Sequence, residues 1–231
     1  MIATSRFVFL HLHKSGGTFV NECLLRFVPG ARQIGYHLPR SLVPAELATL
    51  PALGLVRNPW SYYVSWHAYQ AARATPNALY RVLSDEGRRD FKGTVCNLLD
   101  LGRGSPHLDR LLALLPTSYG NRGINLPAFG LAPIRDSGLG FYSFLYRYMF
   151  GEPGPALRIG HMESLRTELP RMLADVAQPV DEAMREFIRD AAPRNVVGHA
   201  RYEDMYDEEL RNLVADRDAP LIARHGFTFG D

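Results

Sequence analysis

The sequence predicts an α/β fold with a central parallel sheet flanked by helices, because short apolar strands alternate with segments of helical periodicity. Two observations carry this most directly. Phe7 to Leu12 is apolar apart from His11 and runs into glycines, after which Phe19, Val20, Cys23, Leu24 and Phe27 recur at helical spacing. Leu53 to Val56 is a second short strand, with Arg57 and Asn58 at its end and Pro59 suited to the first turn of a helix over 60–72.

The other elements follow in order. Pro44 opens a short helix through Leu50. The stretch 74–140 is rich in Gly, Pro, Asn and Arg, with only short periodic pieces such as Leu108 to Leu115, and reads as an elaborated insertion where an acceptor would bind. Phe141 to Phe150 predicts an aromatic helix, and Ala156 to Gly160 a further short strand. Leu165, Leu169, Met172, Leu173 and Val176 mark one helical face, and Ala183, Met184, Phe187, Ile188 and Ala191 mark another that Asp181 opens. A last helix is expected from about Asp204 to Ala215.

Composition narrows the options. At 231 residues with 46% apolar side chains, a single domain spanning 1–231 is expected. The net charge of +2 offers no basic stripe for nucleic acid, although a local pocket for one nucleotide stays possible. Cys23 and Cys96 lie far apart among apolar neighbours and read as free thiols in a reducing cytoplasm. The run Phe7 to Leu12 is too short for a signal peptide core, and no stretch approaches the roughly 20 apolar residues of a transmembrane helix. Oligomeric state has no signature here.

Lys14 and Lys92 are the only lysines among 26 basic residues, which draws attention to His13-Lys14-Ser15-Gly16-Gly17-Thr18. A glycine turn between a buried strand and a helix gathers backbone N–H groups where the helix dipole favours an anion. Lys14 adds a cation, and Ser15 and Thr18 add hydroxyl donors. Alternatively this is a structural turn with a solvated lysine, but strand, turn, helix and cation occur in the order a phosphate site needs. The Walker A pattern is absent, since the lysine precedes the glycines.

The segment resembles the 5'-phosphosulfate loop of sulfotransferases that use 3'-phosphoadenosine 5'-phosphosulfate (PAPS), with His13 where that family often has proline. Arg57-Asn58-Pro59 followed by Ser65 resembles the family's second motif, which implies that Arg57 and Ser65 bind the 3'-phosphate. Taken alone, Arg57 is also a helix-capping or surface residue and Ser65 an ordinary helix serine. Arg158 to Leu165 and Tyr202 to Val214 are similar to later segments of the Golgi-type and bacterial carbohydrate branch. The resemblance implies a P-loop-type three-layer fold, PAPS as donor, its bisphosphate PAP as product, no metal, and a carbohydrate hydroxyl as first choice of acceptor. The aromatic residues of 141–150 could instead line a site for a lipid, a phenol or a peptide.

Sulfuryl transfer needs a base and a cation on the leaving phosphate. Lys14 fits the cation. His37, in Gly35-Tyr36-His37-Leu38-Pro39, occupies the position at which heparan-type 2-O-sulfotransferases carry a catalytic histidine, and is the first candidate for the base. His67 competes, as do Glu22 and Glu163, although His67 also reads as a packed helix residue and Glu163 as a helix N-terminal charge. His11 reads as a core strand residue, and His161 and His199 as loop residues. Arg201 or Arg194 could complete the 3'-phosphate site, although Asn195-Val196-Val197 departs from the family's pattern. The competing functions are a small-molecule kinase using ATP and magnesium, and a nucleotide-binding module without turnover.

Overall fold

The computed structural model describes residues 1–120, 125–192 and 201–230. Arg194, Asn195, Val196, Val197 and His199 lie outside the described residues. In chain order the strands and helices are β1 (Ile2–Ala3), β2 (Val8–Leu10), α1 (Gly17–Phe27), β3 (Arg32–Gln33), β4 (Ala52–Val56), α2 (Pro59–Ala71), α3 (Ala78–Leu83), α4 (Phe91–Leu99) and α5 (Pro106–Leu114). They continue with α6 (Ala128–Leu131), α7 (Phe141–Phe150), β5 (Leu157–His161), α8 (Leu165–Asp175), α9 (Glu182–Asp190), α10 (Glu208–Arg217) and α11 (Ala219–His225). Among the described residues no helix is long and apolar enough to cross a membrane.

The chain groups into two compact units. One comprises Met1–Arg57, Gly120–Asn125 and Tyr146–Val196, and the other Asn58–Tyr119, Leu126–Leu145 and Val197–Asp231.

The first unit is α/β. Its open five-stranded sheet has the order β3-β1-β2-β4-β5. Strands β2, β4 and β5 are parallel, with Val8 opposite Ala52 and Leu53 opposite Arg158, as the alternation of strand and helix predicts. The expectation of a parallel sheet throughout is corrected at the other edge, where β1 runs antiparallel to both β2 and β3. The cause is local. Thr4 Oγ1 accepts from the Arg6 and Phe7 N–H groups at 3.1 and 3.0 Å and donates to the Phe7 carbonyl at 2.9 Å, closing a tight turn. So short a connection can join only antiparallel neighbours, because a parallel pair needs a long crossover.

Helices α1, α8 and α9 cover one face of this sheet: Phe19, Val20, Leu24, Leu169, Met172, Leu173, Met184 and Ile188 form one buried cluster with Phe9, Leu53 and Leu55. Gly54 is glycine for a reason of space. A Cβ there would lie 2.3 Å from the Phe150 ring, which packs directly on the backbone of β4.

Helices dominate the second unit. Asn58 caps α2 by accepting from the Trp60 N–H at 3.1 Å, and Pro59 fills the first helical position. The Tyr62 ring stacks on Tyr142 at 3.7 Å, and the Tyr63 hydroxyl donates to the fully buried carboxylate of Asp218 at 2.6 Å. Within 74–140 the sequence pattern predicts only α5, yet α3 and α4 are also formed, capped by the side chains of Asn77 and Asp90. The final helix begins at Glu208 on an Asp207 cap rather than at Asp204, and α11 follows it. Phe141, Tyr142 and Leu145 in α7 are fully buried.

Candidate functional site

The predicted phosphate loop lies where the sequence places it, between β2 and α1 in the first unit. Gly16 is the cap residue of α1 with φ 76°, a left-handed conformation that glycine adopts without strain, and its carbonyl accepts from the Phe19 and Val20 N–H groups. As a glycine, the cap residue has no side chain to offer this end, and no carboxylate occupies the first turn. The earliest N–H groups of a helix have no carbonyl a turn back to bond, so such an end attracts an anion. Ser15 is buried, with its hydroxyl donating to the His13 carbonyl at 3.1 Å, and Thr18 is half-buried on the first turn.

Gly17 has a steric role that the sequence reading does not foresee. A Cβ there would lie 2.0 Å from Cδ2 of His11, so the first residue of α1 is glycine because the His11 ring lies flat against it. His11 is buried, as expected of a core residue, and its Nδ1 accepts from the Asn21 amide at 3.2 Å. That contact assigns the ring proton to Nε2.

Lys14 also has a positive φ of 56°, unusual for a residue with a side chain. Its backbone carbonyl accepts from the Arg57 guanidinium at 3.3 Å, so the end of β4 delivers a second cation to the loop. Burial pushes the Lys14 ammonium down to about 8, with the Arg57 charge acting in the same direction. Two cations held together in partly buried surroundings oppose one another, and an anion between them relieves that repulsion.

His37 converges on the same loop. It is buried, has φ 52°, and donates from Nδ1 to the His11 carbonyl at 2.7 Å. Since a carbonyl only accepts, the proton sits on Nδ1 and the neutral ring keeps its lone pair on Nε2. Burial lowers the ring to about 4, an effect that the bond to the His11 carbonyl partly offsets, so the imidazole is neutral at physiological pH. The His13 ring stacks on His37 at 3.7 Å with an interplanar angle of 19°, while His11 and Tyr36 contact it at 4.2 and 4.3 Å. No periodicity or motif announces this cluster, because it joins a loop, a strand end and a segment beyond β3.

The remaining candidates are on α1, ahead of α8, and in the second unit. Glu22 is half-buried on α1, and Glu163 is exposed just ahead of α8. Ser65, His67 and Arg201 belong to the second unit. Ser65 is buried on α2. His67, two residues on, sits against the rings of Tyr80 and Phe91 at 5.5 and 5.3 Å, and burial lowers its pKa. These contacts agree with a packed helix residue. Arg201 is exposed and pairs with Glu203 at 3.3 Å.

Comparison with protein-family models finds no match for this chain, and comparison with characterised proteins finds none either.

Proposed function

We propose that the chain is a sulfotransferase that moves a sulfuryl group from PAPS to an acceptor hydroxyl. The observation that carries the reading is the placement of two cations, Lys14 and Arg57, at a glycine turn that opens α1. A phosphosulfate would set negative charge against these two cations. In sequence the loop resembles the sulfotransferase donor loop, and a P-loop-type layering of the first unit is part of the same proposal, supported by β2, the glycine turn, α1 and the parallel β4.

The proposed step forms a bond between the acceptor oxygen and sulfur and breaks the bond from sulfur to the bridging phosphate oxygen, whose electron pair leaves with PAP. Lys14 and the N–H groups at the start of α1 stabilise the charge that grows on that phosphate. His37 Nε2 takes the hydroxyl proton, since its tautomer leaves the lone pair there. A bound dianion favours the imidazolium and so makes His37 a stronger base when the donor is present. On the strength of the resemblance, a sugar hydroxyl is the first acceptor to try.

The test is transfer of labelled sulfur from PAPS to a panel of sugar, phenol and lipid hydroxyls, alongside thermal stabilisation by PAP without metal. Transfer, and a PAP shift that is lost in Lys14→Met, is the expected result. Stabilisation by ATP with magnesium but not by PAP would replace the proposal with the kinase reading. Binding of PAP without transfer to any acceptor would leave a binding module.

A further inference from the structure

We infer that His13 is a positioning residue for His37: its ring, one residue before the loop lysine, holds the plane of the His37 imidazole by stacking on it. The inference rests on the proposed role of His37 as base, but its geometry stands independently.

A histidine ring turns about its second side-chain torsion in a broad well, so a hydrogen bond at one nitrogen fixes a direction more firmly than a plane. His37 has that bond, from Nδ1 to the His11 carbonyl. The His13 ring lies nearly parallel to it at 3.7 Å, whereas the His11 and Tyr36 rings meet it tilted and edge-on. Parallel contact over a whole ring opposes rotation out of plane, which tilted neighbours permit more readily. His13 is itself buried, so the stack is enclosed.

The consequence is geometric. Lys14 and His13 share one turn of backbone, and the positive φ of Lys14 sets their relative directions. A single segment therefore orients both the cation proposed for the leaving group and, through the stack, the imidazole proposed as base. Proline at this position, as in the family's usual loop, could not supply the contact. The histidines do not gather as ion ligands: among the described residues no group of three His, Cys, Asp or Glu side chains could hold a metal.

Two substitutions of similar bulk separate planarity from volume. His13→Phe keeps a flat ring in the enclosed position, and His13→Leu fills it with a branched chain. Nitrogen NMR of the His37 ring in the ligand-free protein reads its tautomer without any turnover. In His13→Phe the Nδ1-protonated form is expected to persist, and kcat with PAPS to stay within about threefold of the parent. In His13→Leu the tautomers are expected to mix and kcat to fall about tenfold, while the affinity for PAP is unchanged. Identical His37 spectra in the two variants overturn the inference, as does an equal loss of kcat in both. Should the parent transfer no sulfur, the sulfotransferase reading fails, and the NMR comparison still decides whether His13 orients His37.

Discussion

Lowering the pH from about 7 to about 5 should remove roughly 2 kcal/mol of folding stability through His37 alone. In the folded protein the buried imidazole takes a proton at about 4, against 6.5 for the ordinary side chain. Between those values the unfolded chain binds a proton that the folded chain excludes, so stability is fully present above about 6.5 and drains away as the pH falls towards 4. Near pH 5 the unfolded ring is almost wholly charged and the folded ring almost wholly neutral, a difference of about 1.5 pH units at ~1.4 kcal/mol each. His11, which burial lowers in the same direction, adds to the loss.

The perturbation that isolates the effect is His37→Asn, because asparagine tolerates the left-handed backbone at this position and does not titrate. Urea denaturation of parent and variant at both pH values gives four free energies. The variant should be less stable near pH 7, having lost the bond to the His11 carbonyl, but should lose roughly 2 kcal/mol less than the parent on acidification. Equal acid losses in the two proteins would refute the claim that His37 is buried as a neutral ring.

Three further outcomes are expected. Gly17→Ala drives a methyl group into the buried His11 ring and should cost about 2 kcal/mol, seen as a fall of ~4–8 °C in Tm. Asp218→Ala strands the Tyr63 hydroxyl and the Ser143 N–H, which donate to that carboxylate at 2.6 and 2.8 Å, and should cost about 3 kcal/mol in chemical denaturation. PAP affinity should weaken as the pH rises through 8, the value at which Lys14 loses its charge in the free protein, reaching roughly a tenfold loss near pH 9; Lys14→Gln should flatten that segment of the titration profile.

The central half of the sheet and its glycine turn were legible because their signals are local. Apolar continuity over Phe7 to Leu10, glycines at 16 and 17, and Pro59 after Asn58 each mark a boundary without reference to the rest of the chain. Strands β1 and β3 have two residues each, too few to show a period, and only the Thr4 turn reveals that the N-terminal segment folds back. In the insertion, Asn77 and Asp90 are cap residues that a reader could have used, but Pro76 beside the first and Gly87 and Gly93 around the second read as loop. Only the resemblance singles out His37 in the sequence, and its stack with His13 is not legible there, since ring contacts between distant segments leave no trace in spacing.

Lys14 and His37 share a backbone habit suited to glycine, and this sets stability and activity at odds. A left-handed conformation costs an ordinary residue about 1 kcal/mol relative to glycine. Lys14→Gly should therefore relieve strain in the turn while removing its cation, so a screen for heat resistance alone would tend to erase the residue on which the proposed chemistry depends. In any effort to harden this protein, the loop and position 37 are the places to hold constant, and apparent gains there should be read as warnings.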